Sequence, residues 1–174
     1  MKKTLILISL ATFAGGASAD SWLYGGIQAG QSNFASEKGT AFGIHAGTGI
    51  LPIFGLEAGY FNHGSIDLTL SGDSNQKGSA DASSFYFATK PSIDFGPFHI
   101  YAKGGINSYK VSYSGALDSI SDDTGVGVMY GVGAEYSILP GITVGASYQS
   151  FGLKIEDSSD RVNSMTLNAT LHFL

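Results

Sequence analysis

Three observations predict the fold. Apolar residues alternate with small or polar ones at a period of two; about eight segments of roughly ten residues do so; and the connections between them alternate short and long. Together they predict an all-β chain, an eight-stranded antiparallel up-and-down β-barrel that crosses a membrane. The period is clearest in Val126–Ile138, where Val126, Val128, Tyr130, Val132, Ala134, Tyr136 and Ile138 alternate with Gly127, Met129, Gly131, Gly133, Glu135 and Ser137. Successive strand side chains point to opposite faces, so one face is apolar and the other small or polar. Met165, Leu167, Ala169, Leu171 and Phe173 repeat the pattern at the other end of the chain. A helix would place apolar residues at i, i+3, i+4 and i+7, which these segments do not.

The predicted strands are Leu23–Ser32, Thr40–Ile50, Phe54–Phe61, Ser84–Ile93, Phe98–Tyr109, Val126–Ile138, Ile142–Ser150 and Met165–Phe173. Short turns rich in Gly, Pro and Asp sit at Leu51-Pro52-Ile53, Asp94-Phe95-Gly96-Pro97 and Leu139-Pro140-Gly141. Longer polar links are expected near Asn33–Gly39, Asn62–Ser83, Lys110–Gly125 and Phe151–Ser164. The alternation of Ile66, Leu68 and Leu70 predicts that strands three and four continue past the membrane into the second long link.

Residues 1–19 read as a secretory signal. Lys2 and Lys3 precede the apolar stretch Thr4–Phe13, and Ala17-Ser18-Ala19 forms an A-x-A cleavage site before Asp20. The apolar stretch is too short to span a bilayer, and Gly15-Gly16 interrupts it. Residues 20–174 are then the barrel. Without Lys2 and Lys3 the nine cations fall to seven against fourteen carboxylates, a net charge of −7. That balance argues against a nucleic-acid binder. The absence of Cys excludes disulfides and thiolate metal sites.

Alternation alone does not orient the apolar stripe. A soluble binding barrel would turn it inward, an outer-membrane barrel outward. The outward orientation is favoured because the other face is crowded with Gly, Ala, Ser and Thr, as a narrow lumen requires, and lacks the Lys and Glu of a solvated exterior. Charged residues make up only 13% of the chain, against about 25% in soluble domains. Aromatic residues on the stripe also gather at its two ends. Phe54, Phe95, Phe98, Tyr136 and Phe173 lie toward the short turns, and Tyr60, Phe85, Tyr130 and Tyr148 toward the long links. Two such girdles mark two membrane interfaces.

Several short segments resemble the barrel strands of the OmpA/OmpX-like small outer-membrane proteins. They are Tyr24-Gly25-Gly26-Ile27-Gln28-Ala29-Gly30, Phe54-Gly55-Leu56-Glu57-Ala58-Gly59-Tyr60, Ala88-Thr89-Lys90, Ile100-Tyr101-Ala102-Lys103 and Gly133-Ala134-Glu135-Tyr136. The resemblance spans essentially all of residues 20–174 and implies a charged cluster inside the barrel, matched here by Glu57, Glu135, Lys90 and Lys103. The face assignment independently puts these four on the polar side, where two charges of each sign would cancel. Such a cluster reads either as a static plug or as an ion gate, and the plug is favoured. Gly145 stands where the family has an interior Arg, leaving one carboxylate short of a partner. Leu174 follows Phe173, where outer-membrane barrels commonly end on the aromatic residue that insertion machinery reads.

No P-loop, dinucleotide fingerprint or H-E-x-x-H motif occurs, so no enzyme, cofactor or metal is expected. The nearest approach to a catalytic group is His63-Gly64-Ser65 with Asp67, which would place His and Ser on one strand face. His45, His99 and His172 are dispersed singly and read as lumenal or interfacial side chains in preference to metal ligands. The long links carry ten carboxylates, among them Asp81, Asp122, Asp123 and Asp160, against five cations, Lys38, Lys77, Lys110, Lys154 and Arg161. An acidic rim should repel heparin-like polyanions and suit cationic partners. The resemblance implies a monomer in the outer membrane. Its partners would be lipid, lipopolysaccharide, the barrel-insertion machinery and, through the loops, host-surface or neighbouring-cell molecules in adhesion or colonisation. A narrow channel is the alternative.

Overall fold

Hydrocarbon offers no partner to a free strand edge, so a membrane sheet must close on itself. The computed structural model describes residues 23–34, 37–51, 53–69, 77–115, 122–155 and 158–173. It contains β1 (Leu23–Phe34), β2 (Glu37–Leu51), β3 (Phe54–Thr69), β4 (Lys77–Phe95), β5 (Phe98–Gly115), β6 (Asp123–Leu139), β7 (Ile142–Ile155) and β8 (Ser158–Phe173). Each strand pairs antiparallel with the next, and β1 pairs β8 through Leu23–Phe173 and Asn33–Asn163, so the barrel is closed. The signal segment and Leu174 lie outside the described residues.

Orientation follows the predicted faces. Val126, Val128, Val132, Leu167 and Ile27 are exposed on the outer wall, as is every aromatic of the two predicted girdles. Inward positions carry Gln28, His45, Glu57, Lys90, Lys103, Glu135, Gln149, Asn168 and Thr170, all buried. Gly96 and Gly141 adopt positive φ, 60° and 78°, within the turns joining β4–β5 and β6–β7. Each supplies the backbone conformation that a two-residue connection demands.

The strands run further than alternation of apolar residues predicts. A membrane needs only about 9–11 residues per strand, yet β4 has 19 and β5 has 18. The extra length lies beyond the outer girdle, where pairing reaches Thr69–Lys77 and Gly78–Gly115. Much of what reads as long polar link is therefore strand. In the second link the expected continuation of strands three and four past the membrane holds: β3 runs on to Thr69 and β4 begins at Lys77. In the other links the extension was not expected, and β8, for one, begins at Ser158 and not at Met165.

A bulge interrupts this extension. The β3–β4 register skips His63 between Asn62 and Gly64, and Gly64 sits at φ 85° with its N–H donating to Asn62 Oδ1 at 2.8 Å. The inserted residue reverses the inward–outward alternation above it. His63 is consequently buried in the lumen while Ser65 is exposed and donates to Asp81. The expectation that His63 and Ser65 share a strand face is corrected by this one-residue insertion.

Orientation predicts a depth-dependent cost of charge on the outer wall. Val132→Lys, between the girdles, should lower unfolding free energy in lipid vesicles by about 2–4 kcal/mol, whereas Val126→Lys, beyond Tyr130, should cost about 0–1 kcal/mol. Urea titration of the vesicle-folded protein distinguishes the two, and equal costs would contradict the lipid-facing assignment.

Candidate functional site

The lumen is filled in three tiers. Nearest the short turns is an ionic tier. Glu57 on β3 accepts hydrogen bonds from Lys103 Nζ at 2.5 Å, Tyr86 Oη at 2.6 Å and Tyr24 Oη at 3.2 Å. Lys90 Nζ lies 3.6 Å from its other oxygen. One carboxylate thus faces two ammonium groups. The surplus positive charge is spread over aromatic faces: Lys90 Nζ sits 4.4 Å from the Tyr24 ring centre and 4.2 Å from that of Tyr101, and Lys103 Nζ lies 5.1 Å from Tyr101. Cation–π contacts of this kind are strongest where water is excluded.

Glu135 on β6 stands apart from that ion pair. Its oxygens accept from Asn168 Nδ2 at 2.5 Å, Thr143 Oγ1 at 3.3 Å and Thr170 Oγ1 at 3.4 Å. Among the described residues it has no lysine or arginine within ion-pair distance. The four residues therefore do not form one square of alternating charges. Gly145 pairs directly with Glu135, and a Cβ there would lie 2.7 Å from Glu135 Cγ. The carboxylate side chain occupies the space above Gly145, and neutral donors solvate it.

Barrel closure also draws the histidines toward Glu135, which chain order does not reveal. His45 Nε2 lies 3.2 Å from Thr170 Oγ1 and His172 Nε2 lies 3.2 Å from Thr143 Oγ1, the same two hydroxyls that face Glu135. His99 Nδ1 meets Asp94 at 2.5 Å. The histidines take the lumenal position expected of them, and what chain order does not reveal is that they gather at one end of the bore. Their inward parity on β2, β5 and β8 was the available signal. Among the described residues no group of His, Cys, Asp and Glu is arranged to hold a metal ion.

Above the ions lies an amide and hydroxyl tier. Gln149 Nε2 donates to Gln28 Oε1 at 2.6 Å, and Ser147 and Thr166 hydroxyls lie 2.9 Å apart. The outer tier is apolar: Phe61, Tyr86, Met129 and Phe151 cluster there, and Tyr109, Val111, Leu153 and Val162 form a second group. The sequence reading, which fills the lumen with small and polar residues, misses this plug. Its signal was Phe61, Met129, Phe151, Leu153 and Val162 on the parity of the polar face. His63 is sealed among these rings, 4.9 Å from Phe61 and 4.8 Å from Phe151, with Nε2 2.9 Å from Ser84 Oγ. The serine it meets is Ser84, not Ser65, and both partners are buried. At the rim, Asp122 is engaged by Lys110 at 2.9 Å and by Ser112 at 3.3 Å.

A family model described as the outer membrane protein beta-barrel domain matches residues 4–173. The chain belongs to this outer-membrane family. It is an outer-membrane protein, and the resemblance read from its strand motifs agrees with that placement. No curated protein matches it. Among solved structures, it is similar to Ail, the attachment invasion locus protein of Yersinia pestis, crystallised with the heparin analogue sucrose octasulfate. The TM-score is 0.58 at 15% identity, covering 87% of this chain and 96% of that one. Neisserial surface protein A is similar at TM-score 0.57 and 14% identity, over 87% and 96% of the two chains. A de novo designed transmembrane β-barrel reaches 0.55 at 11% identity, over 91% and 100%. At these identities the likeness is one of fold.

Removing Glu57 strands two buried cations. Glu57→Ala should destabilise the barrel by about 3–5 kcal/mol, and the compensated variant Glu57→Ala with Lys90→Met and Lys103→Met should recover most of that loss. Gly145→Ala should cost about 1–3 kcal/mol through overpacking against Glu135. Both are read from urea midpoints of the vesicle-folded protein.

Proposed function

We propose that this protein is a monomeric, non-conducting outer-membrane anchor that presents an acidic extracellular surface for adhesion to host or neighbouring cells. The carrying observation is the apolar tier. Phe61 and Phe151 have ring centres 5.1 Å apart across the lumen, and both are fully buried. With its bore filled by rings on one side and by hydrogen-bonded ions on the other, the barrel offers its chemistry at the rim. The ionic tier then acts as a static plug whose charges neutralise one another, in preference to an ion gate.

Export would follow cleavage after Ala19, with residues 20–174 inserted by the barrel-assembly machinery. The elongated β3, β4 and β5 carry the rim away from the lipid, which suits contact with another surface. Asp81, Asp122 and Asp160 are exposed there. Ail is a polyanion-bound neighbour by its crystal structure; the acidic rim of this chain calls instead for a partner of positive charge. No catalytic role is proposed, since the one His–Ser contact is enclosed by aromatic side chains.

Two measurements test the reading. Planar bilayers containing the protein should stay silent, and so should those containing Phe61→Ala with Phe151→Ala, because the ionic tier still fills the bore; steps in the unmodified protein that change on neutralising Glu57 or Glu135 would establish the channel instead. Bacteria displaying the protein should adhere to cationic surfaces, and Asp81→Asn, Asp123→Asn and Asp160→Asn together should reduce that attachment severalfold at low salt. Attachment indifferent to these changes and to shortening of the long loops would remove the adhesive role.

A further inference from the structure

The inward face of β8 is polar throughout the membrane. Ser164, Thr166, Asn168, Thr170 and His172 follow one another at every second position, the first four buried and His172 half-buried at the short-turn end. These positions span about 27 Å of strand, and at the usual tilt of about 40° they cross most of an apolar band of about 25 Å. Their neighbours on the flanking strands continue the pattern. Ser32, Gly30, Gln28 and Gly26 face them from β1, and Gln149, Ser147, Gly145 and Thr143 from β7. Phe61, Tyr86 and Met129 enter the bore from β3, β4 and β6, away from this seam.

Hydrogen bonds divide the seam into three groups. The hydroxyls of Ser32 and Ser164 lie 2.6 Å apart. Below them, Thr166 Oγ1 lies 2.9 Å from Ser147 Oγ, which accepts from Gln149 Nε2 at 3.3 Å, and the same nitrogen donates to Gln28 Oε1. The third group is Glu135 with Asn168, Thr143 and Thr170, and with His172 and His45 on the two threonine hydroxyls. Orphaned atoms sit at the breaks between groups. Gln149 pairs with Ser164 across the first break, and its Oε1 is buried without a partner among the described residues. Gln28 pairs with Asn168 across the second, and Gln28 Nε2 and Asn168 Oδ1 are likewise buried and unpartnered. These two are a donor and an acceptor on facing residues, the arrangement that a bridging internal water satisfies.

Water at both breaks would join the groups into one row of hydroxyls, waters and a carboxylate. Glu135 supplies what an inert polar core lacks. It is an ionisable group within the membrane, hydrogen-bonded to neutral donors, with His45 and His172 one hydroxyl away, His99 on the paired position of β5, and Lys90 and Lys103 further off. Carboxylates and histidines so placed in membrane proteins serve as proton relays. Gly39, the inward residue paired with Ser32, is half-buried, as is His172, so solvent reaches the seam at either end.

We propose that the β7–β8–β1 seam is a proton path, a row of internal water held by Gln28, Gln149 and Asn168, with Glu135 as the group that takes up and releases the proton beside His172. Each hop breaks one O–H bond and forms the next, and a proton that enters at Ser32 leaves at His172 with no net chemistry. Other ions are excluded, because a single row of water cannot carry their hydration shells. The path goes beyond the adhesive role and does not depend on it. Protons are too scarce near neutral pH to give conductance steps, so it is compatible with silent planar bilayers.

The test uses the full chain folded into phosphatidylcholine vesicles that enclose a pH-sensitive dye, with potassium and valinomycin on both sides to clamp the potential. After an external pH step the internal pH should relax faster than in protein-free vesicles. Glu135→Gln, which keeps the shape but holds no proton, and Gln28→Met, which removes a water-holding amide, should each slow the relaxation severalfold. Ile106→Ala, on the lipid-facing wall, should leave it unchanged. Heated and unheated gel mobility verifies folding, and Thr166→Val replaces either lumenal variant that does not fold. Relaxation no faster than in protein-free vesicles, or undiminished in the lumenal variants, overturns the proposal and leaves the seam as a static polar core. Release of entrapped chloride together with the proton flux also overturns it, since the bore would then be an ion pore.

Discussion

The governing constraint is that a backbone amide has no partner in hydrocarbon except another backbone amide. Pairing of β1 with β8 satisfies it, and closure decides everything inside. An eight-stranded cylinder is just wide enough for side chains to fill, so each inward residue must interlock with residues many positions away in sequence. Many of the ion pairs, amide contacts and ring contacts in the lumen link strands that are distant in the chain, as in Lys103 with Glu57 and Gln149 with Gln28. The outer wall has no such requirement. It needs only to be apolar between the girdles, which is why Val, Ile, Leu and Phe can alternate there in almost any order.

Vertical layering of the lumen follows from the cost of burial. A carboxylate shut away from water is tolerated only with hydrogen bonds or countercharge. Glu57 has both. Among the described residues Glu135 has hydrogen bonds alone, supplied by Asn168, Thr143 and Thr170, and it lies toward the end of the barrel bearing His172 and the short turns. On the opposite side, Phe61, Met129 and Phe151 fill the bore without needing any partner. Packing rings against one another at 5.1 Å blocks the bore more simply than further ion pairs would, because an ion pair can exchange partners while close-packed apolar groups have no second arrangement of similar energy.

These physical differences also separate what could be read from the sequence and what could not. Strand number, closure, lipid-facing orientation and both girdles were legible, because the bilayer imposes a period-two apolar signal with fixed length and aromatic ends. The inward placement of Glu57, Lys90, Lys103 and Glu135 was legible for the same reason. Their grouping was not. Parity states which way Glu135 points, but its separation from the lysines is a matter of rotation around the barrel and of the room left by Gly145. Extension of β3 beyond Phe61 was marked by the alternation of Ile66 and Leu68, whereas that of β8 before Met165 was hidden because polar strand and polar loop have the same composition. Gly64 shows the sharpest limit: one residue at positive φ inverts the faces above it, whereas unbroken strand parity puts His63 and Ser65 on one face.

That inversion bears on how the extracellular part is built. Below the bulge β3 obeys the membrane's alternation; above it, the register is reset, so Ser65 and Asp81 meet on the outer face of the extension. The barrel and its extension are thus one continuous hydrogen-bonded sheet with two independent side-chain programmes. In the lipid, outward means apolar; above the lipid, outward means polar. A single glycine bulge allows the change without breaking the β3–β4 ladder, because pairing resumes at Gly64–Ala82 and runs on to Thr69–Lys77. A rigid platform of this kind holds its charges at fixed positions above the membrane, and the rim inherits the stiffness of the closed barrel beneath it. The recognition proposed for this rim would cost little ordering entropy in the strand region.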